Sequence, residues 1–169
     1  MPRRVVDGDK IMSSWKLQQV QPEEYRIYYV LFLTFALANG VFECHPAAIY
    51  HKTCIVFESL TLDTIQKILD EYERVGLLFR WKEPDASEWG YWTGIHSPGL
   101  LPPQSQIDGR HYAQGPQVPQ GAFWQFCLEK NIRTNGHGPA GSLKEREAEK
   151  ESRYTLSEKI KKLRKDKEI

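Results

Sequence analysis

The chain has 169 residues, which is enough for one domain with a core of its own plus appended segments. Its net charge is only +1, which excludes the strong overall attraction to nucleic acid or anionic membranes of a very basic protein. The most apolar run, Ile27 to Ala38, is well below the roughly 18 residues of a membrane-spanning helix. Three widely spaced cysteines favour a reducing compartment, so we expect a cytoplasmic protein without membrane contact.

Composition divides the chain into a central domain and flanking segments. Residues 1–20 form a mixed N-terminal arm, with a short strand expected near Trp15–Val20, and residues 21–95 predict the folded core. Residues 96–120 contain five prolines and predict an irregular, largely extended arm. The remainder predicts a short helix over 121–133, a Gly-rich linker over 134–142 and a charged helical tail over 143–169.

Three helices are predicted in the core. The first spans residues 21–40 and is apolar nearly all round, so we expect it to be the buried central helix. A short extended piece at 41–43 separates it from a second helix over 45–54. Thr61 is the expected N-cap of the third helix, and Gly76 is expected to end it.

A hairpin follows the third helix. The segments LLFRWK and EWGYWTGI alternate in the manner of strands and flank the turn sequence EPDASE. The resulting order is helix, short strand, helix, helix and hairpin, which is the order of a winged helix. The sequence therefore predicts an α+β fold: three helices and a two- to three-stranded β-wing.

Several stretches resemble a known family over residues 13–95. They are PEEYRIYYVLFLTFALANGVFE, HPAAIY, ERVGLLFRW and the aromatic strand with its glycines. This region resembles the N-terminal winged-helix domain of phage replisome-organiser and primosomal replication-initiation proteins. The resemblance implies duplex DNA binding or self-association during replication initiation, and it supplies no catalytic residue.

The charges of this expected domain are unusual for a DNA-binding surface. The third helix carries two basic and four acidic residues, and the hairpin carries two basic and three acidic residues. The tail over 143–169 is instead net +3, with its densest basic run at KIKKLRKDK. Phosphate neutralisation dominates DNA affinity, so the candidate nucleic-acid contacts are basic residues. They come from the third helix, the hairpin, the Pro-rich arm and the basic run of the tail: Lys67, Arg74, Arg80, Lys82, Arg110, Lys161, Lys162, Arg164 and Lys165.

Four aromatic residues of the hairpin are candidates for partner binding: Trp81, Trp89, Tyr91 and Trp92. Those near the tip lie beyond what a small core covers, so they are candidates for an exposed platform for stacking or for a protein partner. The alternative is that the Pro-rich arm folds back over them. The glycines on both sides of Trp92 favour that covered arrangement, because glycine permits close approach of another backbone.

Other motifs give no support for catalysis or for a metal site. Cys44, His45, His51 and Cys54 lie close in sequence but lack a C-x-x-C pair, so small buried cysteines and surface histidines are favoured over zinc. The stretch GHGPAG matches G-x-G-x-x-G without a preceding strand, which favours a linker. We therefore expect neither an enzyme nor a protein that binds a cofactor, metal or small-molecule substrate.

Two hypotheses of function remain. The leading one is a non-enzymatic, DNA-binding winged-helix protein of phage or prophage type that acts in replication initiation or its regulation. The alternative is a protein-interaction or self-association module that uses the acidic third helix, the aromatic wing and the Pro-rich arm. In that case its partner would be a replication protein, a second copy of itself, or a host protein that a phage inhibits.

Overall fold

The computed structural model describes residues 8–95 and 115–132. These residues belong to one compact unit, Met1–Gly136. The predictions for residues 96–114, which hold most of the Pro-rich arm, and for the linker and charged tail lie outside the described residues. Among those described, no helix is both long and apolar enough to cross a bilayer.

The fold is mixed α+β, as the sequence predicts. Its helices are α1 (Gly8–Met12), α2 (Trp15–Gln18), α3 (Arg26–Leu33, preceded by a 3-10 turn at Glu23–Tyr25), α4 (Pro46–Thr53), α5 (Leu62–Arg74) and α6 (Gln120–Glu129). Its strands are β1 (Val41–Glu43), β2 (Leu78–Lys82) and β3 (Glu88–Trp92). They form one antiparallel sheet in the order β1-β3-β2.

The first predicted helix is shorter than expected. It ends at Leu33, because Thr34, Phe35 and Ala36 donate their N–H groups three residues back instead of four. The chain then turns and Leu37 N–H donates to the Val41 carbonyl at 2.6 Å, so the apolar residues after Leu33 fill the core from a loop.

The strand predicted near Trp15–Val20 is wrong. That segment contains the helix α2, which the Ser14 hydroxyl caps by accepting from Leu17 N–H at 3.4 Å. Leu17 and Val20 are buried, and their spacing of three residues fits a helical turn better than the alternation of a strand.

Helices α4 and α5 and their ends agree with the prediction. The Thr61 hydroxyl accepts from Thr64 N–H at 3.2 Å and caps α5. Gly76 stops α5 with a φ of +73°, a left-handed conformation that favours glycine. The tight turn there leads the chain directly into β2.

The sheet is covered by helices on both faces. On one face, Trp92 stacks on Phe42 (ring centroids 5.1 Å apart) and meets Tyr29 edge-on, also at 5.1 Å. On the other face, Phe123 of α6 meets Tyr91 and Phe79 edge-on at 5.4 and 5.5 Å. The sheet is therefore the middle layer between α3 and α5 on one side and α6 on the other.

The segment 115–119 also packs against the second face. Asn39 Nδ2 donates to the Gly115 carbonyl at 2.9 Å, and Asn39 Oδ1 accepts from Gly115 N–H at 3.1 Å. A Cβ atom at Gly115 would lie 2.2 Å from Val41 Cγ2 and 3.1 Å from Trp89 Cζ3, so only glycine allows this close approach. This end of the Pro-rich arm therefore folds back over the hairpin.

Candidate interaction face of helix α5 and the hairpin

The exposed side of α5 and the adjoining side of the β2–β3 hairpin form one continuous charged surface, which we call the α5–hairpin face. Arg80 links the two elements, because its side chain extends from β2 to the carboxylates of α5. The face contains four Lys/Arg and seven Asp/Glu residues: Asp63, Lys67, Asp70, Glu71, Glu73, Arg74, Arg80, Lys82, Glu83, Asp85 and Glu88.

The two basic residues of α5 are both paired within the helix. Lys67 Nζ lies 2.6 Å from Asp63 Oδ2, one turn earlier. Arg74 Nε lies 2.6 Å from Glu71 Oε2, and its second nitrogen contacts the other oxygen of the same carboxylate. These hydrogen bonds raise the pKa of Lys67 and of Arg74 and lower the pKa of Glu71, which favours the charged forms of these three groups.

Arg80 makes the most extensive set of charge contacts on the face. Its Nε donates to Glu73 Oε2 at 2.9 Å, and its Nη2 donates to Asp70 Oδ1 at 2.6 Å and also to Glu73. Burial lowers the pKa of this guanidinium, but the hydrogen bonds to Glu73 and Asp70 outweigh burial and leave the pKa raised. Arg80 therefore fixes the hairpin against α5 and is committed to two carboxylates.

Lys82 is paired as well. Its Nζ lies 2.7 Å from Glu88 Oε1, directly across the β2–β3 ladder. All four basic candidates on this face are thus bound to carboxylates, and the face has three more acids than bases. Phosphate neutralisation dominates DNA affinity, and this face carries an excess of acid.

A cleft of about 310 Å³ opens beside Arg80 between α5 and the hairpin. Gln66, Glu73 and Glu88 line it together with Cys44, whose thiol is buried. Burial raises the pKa of Cys44 to about 12, so this sulfur stays protonated near neutral pH and is a poor nucleophile. The cleft thus has polar walls on most sides, with the Trp81 side chain beside them, and no activated thiol.

The aromatic hairpin is mostly core. Tyr91 and Trp92 are fully buried, because the helices on both sides of the sheet cover their rings. Of the two alternatives, the exposed platform therefore does not hold for these two residues. Trp81 and Trp89 are half-buried, and their indole N–H groups donate within the hairpin to Glu83 (2.7 Å) and Ser87 (2.9 Å). Of the four aromatic candidates, only these two tryptophans keep any surface for a partner.

The close approach of another backbone that the glycines beside Trp92 suggest is not found at Gly90, where side chains of the core approach instead. A Cβ atom at Gly90 would lie 3.0 Å from Leu78 Cδ1 and from Phe42 Cε1, so the core does approach closely there. At Gly94 no atom of the described residues lies within 4 Å of such a Cβ. Trp92 is covered by side chains from α3 and α5, which sequence spacing alone did not indicate.

The remaining candidates make local contacts or lie outside the described residues. His45 Nδ1 accepts from Ala47 N–H at 3.3 Å and caps α4, while Cys54 donates weakly to the His51 carbonyl. Over residues 8–95 and 115–132, no three His, Cys, Asp or Glu side chains are grouped to hold a metal ion. The other DNA candidates, Arg110 and the tail residues Lys161, Lys162, Arg164 and Lys165, lie outside the described residues.

The pairing of Arg80 with Asp70 and Glu73 was not predicted from sequence. The signal was present: Asp70 and Glu73 are three residues apart on one side of α5, and strand alternation places Arg80 on the sheet face that α5 covers.

Comparison of the chain with protein-family models, with curated proteins and with solved structures gives no match. The resemblance to phage replication-initiation proteins stays a prediction.

Proposed function

We propose that residues 21–95 form a winged-helix domain that is non-enzymatic and binds a protein partner through the α5–hairpin face. The order of elements and the β1-β3-β2 sheet support the winged-helix assignment. The pairing of every basic candidate on the face with a carboxylate supports a protein partner over DNA. The engagement of Arg80 by both Asp70 and Glu73 is the observation that carries the proposal most directly.

The partner surface that fits this face is basic. The described residues as a whole contain nine Lys/Arg and thirteen Asp/Glu, and the excess acid is concentrated on the α5–hairpin face. Charge complementarity steers association and sets specificity, so a Lys/Arg-rich protein surface is the expected ligand. Replication initiation in a phage remains the proposed context, because only the resemblance of residues 13–95 supports it.

The test is a titration of the full chain, labelled with ¹⁵N, with an oligo-arginine peptide. We expect amide shift changes concentrated on α5, β2 and β3. Glu88→Gln should weaken this binding, because it removes an acid and frees Lys82. Glu43→Gln is the matched control, since Glu43 is an exposed acid on β1, at the opposite edge of the same sheet from β2. Shift changes elsewhere, or equal weakening by both variants, would contradict the proposed face.

Duplex DNA binding through the tail is the second candidate function. The observation that favours it is the net charge of +3 over residues 143–169, with the run KIKKLRKDK. In that case DNA affinity should fall steeply with salt and should depend on Lys161, Lys162, Arg164 and Lys165. Anisotropy of a labelled duplex, titrated with the chain lacking 143–169, checks this: undiminished binding would rule out the tail.

A further inference from the structure

The outer side of α3 is apolar although it faces solvent. Ile27 is 64% exposed and Val30 is 37% exposed, and the half-buried Leu31 lies beside them. With Thr34 they follow the spacing i, i+3, i+4 and i+7, which places all four on one side of the helix. The Thr34 hydroxyl donates to the Leu31 carbonyl at 2.6 Å, so its polar group is satisfied locally. We call these four residues the α3 stripe.

The opposite side of α3 is already part of the core, where Tyr29, Phe32 and Leu33 are buried. A helix that is apolar all round is normally covered all round. The charged residue of α3, Arg26, precedes the stripe, where it donates to the Val20 and Gln18 carbonyls and its Nη1 lies 3.6 Å from Glu23 Oε1. An exposed apolar stripe without charge is typical of a surface that another protein covers.

The two ends of the stripe carry opposite charge. Glu23 and Glu24 are exposed in the 3-10 turn that precedes α3. At the other end, Lys52 of α4 places its Nζ 5.5 Å from the centre of the Phe35 ring, just beyond the end of α3. A surface that is acidic at one end and basic at the other complements itself when two copies meet antiparallel.

We infer that the α3 stripe is the contact between two copies of this chain, with the two α3 helices antiparallel about a two-fold axis. In such an isologous contact each patch meets its own copy, so Glu24 of one chain faces Lys52 of the second copy, and the reverse. The apolar residues between these ends pack against their equivalents. This inference uses a different face from the proposed function and does not depend on it.

The contact is expected to be weak. The eight residues of α3 span roughly 12 Å, and stable interfaces bury about 800 Å² on each partner, more than a single short helix supplies. A weak, reversible association fits a contact of this size. The dimer should therefore form and dissociate over an experimentally accessible range of concentration.

The first test is sedimentation equilibrium of the full chain from low micromolar to near-millimolar concentration. We expect a monomer–dimer equilibrium that Ile27→Asp shifts at least tenfold toward monomer. Ile55→Asp is the matched control, because Ile55 is also a strongly exposed isoleucine but lies outside the stripe. A chain that is monomeric throughout overturns the inference, as does a dimer that survives Ile27→Asp. If the chain is monomeric and Ile27→Asp lowers its free energy of unfolding, then segments of the same chain cover the stripe. That result also overturns the inference.

A charge exchange tests the antiparallel orientation. Glu24→Lys alone and Lys52→Glu alone should each weaken the dimer, because each brings like charges together across the contact. The double variant should restore the dimer, because both exchanged charges then face an opposite charge again. A parallel contact would instead bring position 24 of one copy against position 24 of the other, where like charges meet with or without the exchange, so neither single variant would weaken it. Single variants that leave the dimer unweakened, or a double variant that stays monomeric, overturn the antiparallel arrangement.

Discussion

Replacing Phe123 by alanine tests whether α6 is an integral layer of the domain. Phe123 is 1% exposed and meets Tyr91 and Phe79 edge-on at 5.4 and 5.5 Å. Truncating a buried phenylalanine costs about 3–5 kcal/mol of the free energy of unfolding, from lost burial and from the cavity left behind. Each kcal/mol lowers the melting temperature by about 4–8 °C in smaller domains than the unit Met1–Gly136 and by about 2–4 °C in larger ones, so Phe123→Ala should melt at least about 6 °C lower.

The assay is urea unfolding followed by tryptophan fluorescence, with thermal melting beside it. Trp124→Ala is the matched control, because Trp124 is the next aromatic residue of α6 and is 40% exposed. Its loss should cost less than about 1 kcal/mol. If Phe123→Ala is no more destabilising than Trp124→Ala, then α6 is not docked on the sheet and the aromatic hairpin is open to partners.

Asn39, Thr61 and Cys44 give three more predictions. Asn39→Ala should lower the free energy of unfolding by about 1–3 kcal/mol, since it removes the hydrogen bonds to Gly115. Asn39→Asp keeps the acceptor for Gly115 N–H, so it should lower the free energy of unfolding by less in the same urea titration. Thr61→Ala should cost about 1 kcal/mol and Thr61→Ser much less, because only the former loses the cap of α5. Burial raises the pKa of Cys44 and of Tyr29 to about 12, so the unfolded chain loses these protons at lower pH than the folded chain does. The free energy of unfolding should therefore fall as pH rises from about 9 to 12. A Cys44→Ala variant whose stability begins to fall at the same pH would refute that assignment for the thiol.

Local signals made much of the fold predictable. Thr61 and Gly76 mark the ends of α5 by their own chemistry, and the alternation of β2 and β3 identifies the hairpin. The residues after Leu33 were not predictable, because an apolar loop that fills the core has the same composition as a buried helix. The α5–hairpin face was predicted as acidic, but its ion pairs depend on which sheet face α5 covers.

The aromatic hairpin shows where sequence patterns stop being informative. The alternation correctly separates Tyr91 and Trp92 onto opposite faces, but it does not reveal that both faces are covered. The cover of Tyr91 comes from Phe123, far along the chain in the helix α6, through a contact that no local pattern encodes. For the same reason the exposed α3 stripe is visible only once the buried side of α3 is known.

Matched removal of lysines from the α5–hairpin face and from the tail distinguishes a protein-binding face from a DNA-binding one. One variant is Lys67→Ala with Lys82→Ala on the α5–hairpin face, and the other is Lys162→Ala with Lys165→Ala in the tail, so each loses two positive charges. Anisotropy of a labelled duplex is measured with both full chains at about 50 and about 200 mM salt. We expect the face variant to bind DNA no more weakly than the unaltered chain, because Lys67 and Lys82 are already bound to carboxylates. A face variant that loses DNA affinity while the tail variant retains it would contradict the assignment of this face to a protein partner.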